Sequence, residues 1–306
     1  MKQIFKNETF KRSITALVIL VVLMPILLIM SLPSMQSDVT MYTAVVITTF
    51  FLVYVIYEIT TFATKGGRKS EKWLLFGMSA FFFGLGYATA MSLYILQGGI
   101  AVSATPNLFK LILMFAIMTL IYFTVTTIMD LTFTQSSTAY LLITLFTLFL
   151  MSLMFTARTF NWNFLFLPIV VTIASDVGAY FVGRKWGKTP LLPEVSKNKT
   201  VEGMIGGMIF ATLVGFIWVS VAILPGYVTR LQWPTLYNSF TLVMFVIAYS
   251  IFAPFGDLFF SKVKRNLNQK DFGSILPGHG GILDRLDSHV FTTILATSMM
   301  LLIVIL

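Results

Sequence analysis

The chain contains no cysteine and only two histidines among its 306 residues. Without cysteine it cannot form disulfide bonds, a thiolate metal site or a cysteine nucleophile. His279 and His289 are too few and too poorly spaced for a histidine-rich zinc site. These absences exclude the usual thiol and zinc chemistries.

Charge is also scarce, because only 11% of the residues are charged and 57% are hydrophobic. Soluble globular proteins carry roughly 25% charged residues, and a spanning helix needs about 17–25 mostly apolar residues. The sequence therefore predicts an all-α, polytopic integral membrane protein with about nine transmembrane helices and two polar cytoplasmic loops. The predicted spans lie near residues 14–32, 41–62, 73–96, 108–130, 138–156, 162–183, 203–224, 236–257 and 289–306.

The positions of Lys and Arg predict the orientation, because these residues concentrate in cytoplasmic loops. With the N-terminus inside, eighteen of the 21 fall on the cytoplasmic side, and only Lys110, Arg158 and Arg230 fall outside. The polar loops near 184–202 and 258–288 then face the cytoplasm. The net charge of +9 includes no basic arm or basic soluble domain, so we expect no nucleic-acid binding.

The chain shows no internal repeat and reads as one continuous membrane domain. Residues 1–161 form its N-terminal transmembrane helices. Residues 162–306 form a C-terminal transmembrane region. This region contains both polar loops, and we expect the chemistry there.

Two carboxylate groups stand out within or beside apolar spans. Asp176 lies well inside the sixth predicted span, where an ionisable group costs about 2.5–3.5 kcal/mol on insertion scales. It is either a structural partner of a Lys or Arg on a neighbouring helix or part of a site wall. Asp257 follows Gly256 at the predicted cytoplasmic end of the eighth span.

The loop that follows the sixth span combines several glycines with Lys197, Lys199 and Thr200. Basic and hydroxyl groups of this kind bind phosphate. Thr200-Val201-Glu202 also fits the start of the next helix. A solvated basic face beside the membrane explains the same residues, so both interpretations stay open.

The densest polar segment runs from residue 261 to residue 287. It ends in Asp284-Arg285-x-Asp287, and these two carboxylates would share one face if the segment is helical. Neighbouring carboxylates are the usual ligands of magnesium. His279-Gly280-Gly281 forms a tight turn whose bare backbone can approach a phosphate.

Residues 261–287 resemble the signature of the CDP-diacylglycerol synthase (phosphatidate cytidylyltransferase) family. The matching positions are Ser261, Val263, Lys264, Arg265, Lys270, Asp271, Gly273, Leu276, Pro277, His279, Gly280, Gly281, Asp284, Arg285 and Asp287. Ser175-Asp176-x-Gly178-Ala179-Tyr180, Gly183-Arg184 and Ser196-x-x-Lys199-Thr200-x-Glu202-Gly203 resemble a second conserved region of the family. Val201 departs from the pattern, because the family usually has Trp there.

The resemblance implies that CTP and phosphatidate react to give CDP-diacylglycerol and pyrophosphate for phospholipid synthesis. It implies magnesium as cofactor and leaves open a second cation and a homodimer. The implied metal ligands are Asp257, Asp284 and Asp287, with Asp176 as a further candidate. The implied catalytic residues add Lys264 and Arg265, and the implied substrate-binding residues are Lys199, Thr200, Ser261, Lys270, Asp271, His279, Gly280, Gly281 and Arg285.

Three rival interpretations remain at this point. A CTP-dependent polyprenol or phytol kinase would transfer the γ-phosphate and release CDP. A transporter would suit the many spans, but transporters place their sites near the bilayer midplane, whereas here the polar groups concentrate in cytoplasmic loops. A structural membrane scaffold would not need so many charged groups in one loop.

Overall fold

A computed structural model describes residues 38–65, 67–84, 86–87, 105–129, 131–159, 162–223, 235–273 and 281–305. The described chain is mostly helical, with one small antiparallel hairpin. The elements are α1 (Asp38–Ala63), α2 (Lys69–Ser79), α3 (Thr105–Ile128), α4 (Phe133–Thr159), α5 (Trp162–Trp186), β1 (Pro190–Leu192), β2 (Ser196–Thr200), α6 (Val201–Trp218), α7 (Thr235–Asn266) and α8 (Leu283–Ile305). Short π-helical turns, Ala80–Gly84 and Val219–Ile223, continue α2 and α6.

Five helical segments within the described residues are long and apolar enough to cross a membrane: Tyr42–Ala63, Phe133–Thr156, Phe166–Trp186, Val201–Val221 and Val243–Asn266. They agree with five of the predicted spans, so an all-α membrane protein is confirmed. The predicted span 14–32 lies outside the described residues, and 73–96 is described only in part. Helices α3 and α8 cover the described parts of the predicted spans 108–130 and 289–306, but neither is among the five segments. The total of nine spans stays a prediction.

The two predicted polar loops contain more regular structure than the hydropathy profile indicates. In the first, Pro190 of β1 pairs with Thr200 of β2 and Leu192 pairs with Ser196, so a β-hairpin qualifies the all-α prediction. In the second, α7 continues nine residues past the predicted end of its span to Asn266. The sequence between Asp257 and Asn266 contains no Gly or Pro to stop the helix. Lys264 and Arg265 in the last turn also suit the negative end of the helix dipole.

The residues of the described chain divide into two compact units. The first unit comprises the described part of Met1–Met154 together with that of Asn266–Arg285, and the second comprises the described part of Phe155–Arg265 together with that of Leu286–Leu306. Residues 267–273, which follow α7, therefore pack with the N-terminal helices of the first unit.

The second unit is built on the close contact between α5 and α6. A Cβ placed on Gly207 would lie 2.6 Å from the carbonyl oxygen of Ser175, and one on Gly203 would lie 2.9 Å from that of Ala179. Small residues let membrane helices approach backbone to backbone in this way. An apolar core that includes Leu167, Val171, Ala211, Val246 and Tyr249 fills the neighbouring space.

Candidate active site

The first candidate cluster lies in the second unit and centres on Asp257 of α7. The Lys199 ammonium, carried by β2, contacts the Asp257 carboxylate directly. Ser261, one helical turn after Asp257, donates its hydroxyl to Asp257 Oδ1 at 3.2 Å. The hairpin and α7 thus bring together two residues that are 58 positions apart in the sequence.

Asp176 of α5 extends this group. It lies close enough to Asp257 and Lys199 to interact electrostatically with both. Its side chain is exposed although its helix is apolar. We refer to Asp176, Lys199, Asp257 and Ser261 together as the Asp257 cluster. It contains two carboxylates, one ammonium and one hydroxyl.

The start of α6 fixes the strand that carries Lys199. Thr200 caps α6, because its Oγ1 accepts the N–H of Gly203 at 3.2 Å. Glu202 in the first turn accepts the backbone N–H groups of Lys188 and Thr189 at 3.1 Å, and the Thr189 hydroxyl at 2.8 Å. The helix start predicted at Thr200-Val201-Glu202 is confirmed. The same hydrogen bonds tie both ends of the hairpin to α6.

A second ionic contact of this unit joins Lys264 to Asp287. The Lys264 ammonium lies 3.6 Å from the Asp287 carboxylate, and the two residues are only 9% and 8% exposed. Asp287 Oδ1 also accepts the backbone N–H of Ser288 at 2.7 Å. Removing one partner of a buried ion pair leaves the other charge uncompensated. Both side chains were predicted as site residues from the sequence, and the structure pairs them.

The other candidate group lies in the first unit, at the start of α8. Asp284 Oδ2 accepts the backbone N–H of Phe272 and that of Gly281, each at 2.9 Å. One carboxylate oxygen therefore binds the backbone of Phe272, twelve residues before Asp284, and that of Gly281, three residues before it. The sequence analysis left open whether Asp284 and Asp287 lie in a helix, and the structure places both in the first turns of α8, which begins at Leu283 within the predicted loop.

Glu58 of α1 belongs to the same group and was missed by the sequence analysis. Its side chain is buried, and Oε2 accepts the backbone N–H of Leu283 at 3.4 Å. Glu58 also interacts electrostatically with Asp284. The signal was present, because a carboxylate inside the apolar stretch 41–62 is as unusual as Asp176. We call Glu58, Phe272, Gly273, Gly281, Leu283 and Asp284 the Asp284 turn.

The remaining predicted residues lie at accessible positions or outside the described chain. Arg265, Lys270, Asp271 and Arg285 are exposed, and His279 and Gly280 fall outside the described residues. Arg265 Nε approaches the carbonyl oxygen of Val195 at 3.5 Å, which is a long contact.

The carboxylates offer a limited fit to magnesium. Within the described parts of the chain, no group of three or more His, Asp or Glu side chains is close enough to hold a metal ion by itself. Magnesium usually binds proteins through one or two carboxylates together with substrate phosphates and water. Asp176 and Asp257 fit that mode in number, because they are two carboxylates close enough to interact with each other electrostatically.

Comparison with known proteins finds similar chains that share one name. Similar proteins include phosphatidate cytidylyltransferases from Bacillus subtilis (strain 168), Helicobacter pylori (strain ATCC 700392 / 26695) and Staphylococcus haemolyticus (strain JCSC1435). They are 44%, 44% and 38% identical to this chain over 132, 123 and 137 residues, respectively. These alignments cover 43%, 40% and 45% of this chain and 45%, 41% and 48% of the relatives.

The aligned regions thus span less than half the length of these relatives. The broader match is to the profile of the Cytidylyltransferase family, which covers residues 10–303. That range includes the Asp257 cluster, the Asp284 turn and all the described helices except the last two residues of α8. By this match, the chain belongs to the cytidylyltransferase family.

Proposed function

We propose that this chain transfers CMP from CTP to phosphatidate and forms CDP-diacylglycerol and pyrophosphate. The observation that carries the proposal is the Asp257 cluster, where two carboxylates, a lysine and a hydroxyl meet beside the start of the apolar helix α6. The phosphatidate cytidylyltransferases that resemble the chain support the choice of substrates. A site beside the start of a membrane helix suits one substrate anchored in lipid and another dissolved in water.

The reaction needs charge compensation more than it needs a side-chain nucleophile. An oxygen of the phosphatidate phosphate attacks the α-phosphorus of CTP, the bond from that phosphorus to the bridging oxygen breaks, and pyrophosphate leaves. Both reactants are anions, so positioning and electrostatic stabilisation provide most of the catalysis. Lys199 is the cation that the structure holds in the Asp257 cluster, and Asp257 orients its ammonium.

Other cations have supporting roles in this proposal. Lys264 is buried against Asp287, which suits a fixed positive charge near a phosphate. Lys270 and Arg285 are exposed and can reach a phosphate from solvent. Arginine binds two phosphate oxygens at once, and lysine acts as a point charge.

We further propose magnesium as the cofactor, held by Asp257 and Asp176 together with the triphosphate. When bound, it would neutralise phosphate charge in the transition state. Asp257 also holds Lys199 and Ser261 in place, so that one carboxylate would organise both the metal and the lysine. Asp284 and Asp287 stay candidates for a metal role.

The proposed reaction is tested with the purified full chain and phosphatidate in detergent. CTP is labelled either at its α-phosphate or at its γ-phosphate. We expect the label of the α-phosphate to enter the lipid fraction while pyrophosphate is released in equal amount. Transfer of the γ-phosphate label to lipid with release of CDP would instead identify a lipid kinase. Absence of lipid labelling from either position would reject both enzymatic functions.

We also propose that both polar loops face the cytoplasm, where CTP and magnesium are found. Three described helices support this orientation by their basic ends. Arg184 and Lys185 lie in the last turn of α5, Lys264 and Arg265 lie in that of α7, and Lys65 follows α1. Basic residues at helix ends are retained on the cytoplasmic side.

Cysteine labelling should confirm this topology, because the chain has no native cysteine. Lys188→Cys and Asn266→Cys place single thiols at exposed positions of the two loops. We expect an impermeant thiol reagent to label neither variant in intact cells and both after the membrane is opened. Arg230→Cys, in a predicted external turn, is the matched control and should react in intact cells. Labelling of Lys188→Cys or Asn266→Cys from outside would reject the proposed orientation.

A further inference from the structure

We infer that Glu58 is a positioning residue of the proposed reaction: its carboxylate holds the start of α8, which carries Asp284 and Arg285. The inference rests on the proposed function for its effect on rate. Its structural basis is independent of that function, because every contact involved lies within the first unit.

The hydrogen bond to Leu283 is the first observation. Leu283 is the first residue of α8, and N–H groups in the first turn of a helix have no partner within the helix. Glu58 Oε2 supplies an acceptor for one of them at 3.4 Å. A negative charge at a helix N-terminus is also favourable for the helix dipole. Glu58 therefore acts as a cap for α8 from a distant part of the sequence.

Two glycines pack directly on the same carboxylate. A Cβ placed on Gly273 would lie 3.0 Å from Glu58 Cδ, and one on Gly281 would lie 2.8 Å from that atom. A side chain at Gly273 would require Glu58 to move, and one at Gly281 would also lie 2.9 Å from the backbone nitrogen of Gly273. The backbone on both sides of the Asp284 turn is thus shaped around the carboxylate of Glu58.

Asp284 contacts the same backbone from the other direction. Its Oδ2 accepts the N–H groups of Phe272 and Gly281. Phe272 precedes Gly273, and Gly273 and Gly281 are the two glycines that pack on Glu58. The Phe272 ring packs on Phe62 with centroids 4.7 Å apart, and Gln269 Nε2 donates to the carbonyl oxygen of Phe62 at 2.8 Å. The end of α1 is therefore fixed to the segment whose Phe272 N–H group Asp284 accepts.

The chemistry of the side chain supports a specific role over simple packing. Glu58 is 3% exposed, and among the described residues its Oε1 has no hydrogen-bond partner. Burying a polar atom without a partner is unfavourable, and an apolar side chain would fill the same space without that penalty. A carboxylate at this position is explained if Oε2 is needed to hold α8.

The test compares Glu58→Gln with Glu58→Ala in the purified full chain. The Gln amide oxygen can still accept the Leu283 N–H, whereas Ala removes the acceptor. We expect Glu58→Gln to keep CDP-diacylglycerol formation within about threefold of wild type. We expect Glu58→Ala to lose about 10- to 100-fold in kcat, the usual effect of removing a group that orients a functional side chain. Glu71→Gln, which alters an exposed cap at the start of α2, is the charge-matched control and should keep wild-type activity.

Hydrogen exchange provides a readout that does not depend on activity. In Glu58→Ala, the amides at the start of α8 should exchange at least about tenfold faster, while those of the β1–β2 hairpin stay unchanged. Faster exchange throughout the protein, with normal activity per folded molecule, would show a purely structural role and reject the inference. Equal loss of activity in Gln and Ala with normal exchange would also reject it, because the charge and not the acceptor would then matter.

A double variant tests the contact with the turn. Gly273→Ala should impair activity in the wild-type background, because the new methyl group meets the Glu58 carboxylate. In the Glu58→Ala background the same change should cost much less, since contacting residues give non-additive effects. Fully additive losses would contradict the inference. If the wild-type protein makes no CDP-diacylglycerol, the proposed function fails, and the exchange experiment still decides whether Glu58 holds α8.

Discussion

Replacing Asp257 by Asn is expected to lower the rate of CDP-diacylglycerol formation by about 10²–10³-fold, the usual cost of removing one electrostatic contact from a transition state. Asn keeps the shape of the side chain and removes its charge. Lys199 then loses its contacting counterion, and the proposed magnesium site loses one of two carboxylates. Initial rates at saturating CTP, normalised to folded protein, measure the effect.

Magnesium dependence separates the two roles of Asp257. If the residue contributes to a metal site, Asp257→Asn should need more magnesium for half-maximal rate, and exhaustive chelation should abolish the activity of the wild type. Glu194→Gln is the matched control, because it also removes one negative charge from an exposed position in the connection between β1 and β2. It should stay within about threefold of wild type. An Asp257→Asn variant with more than a tenth of wild-type activity would contradict the assignment.

The sequence predicted the membrane helices and their polar ends better than it predicted the polar loops. A bilayer needs long apolar segments, and that requirement is visible in composition alone. Helix α7 continues past its apolar part because its last residues favour a helix, which hydropathy does not measure. The strands of the β1–β2 hairpin are only three and five residues long and show no clear alternation, so no periodic signal predicts them.

In the candidate site, too, the sequence predicted some features and not others. The sequence analysis singled out Lys199, Asp257, Lys264 and Asp287 as candidate site residues, but it did not predict which of them pair. Which carboxylate meets which lysine depends on tertiary packing between residues distant in sequence. An ionisable residue inside a membrane span is costly, and this argument applies to Glu58 as well as to Asp176. Only the structure shows that the Glu58 carboxylate contacts the start of α8.

Replacing Asp284 by Asn tests whether this carboxylate acts through its charge or through its hydrogen bonds. The Asn amide oxygen can still accept the N–H groups of Phe272 and Gly281, which Asp284 Oδ2 accepts at 2.9 Å. If Asp284 binds metal, the loss of charge should lower the rate by about 10²–10³-fold even though the turn is intact. Asp284→Ala removes both functions and should also loosen the turn.

Lys262→Ala is the control for these variants, because Lys262 is exposed on α7 at an unmatched position of the signature. It should stay within about threefold of wild type. An Asp284→Asn variant that keeps more than a tenth of wild-type activity, beside an inactive Asp284→Ala, would show that the two hydrogen bonds suffice and that Asp284 is no metal ligand. Equal losses in Asp284→Asn and Lys262→Ala would show that the segment acts through folding and would contradict a specific role. Loss in Asp284→Asn alone, with normal hydrogen exchange at Phe272 and Gly281, is the result expected of a carboxylate whose charge takes part in the reaction.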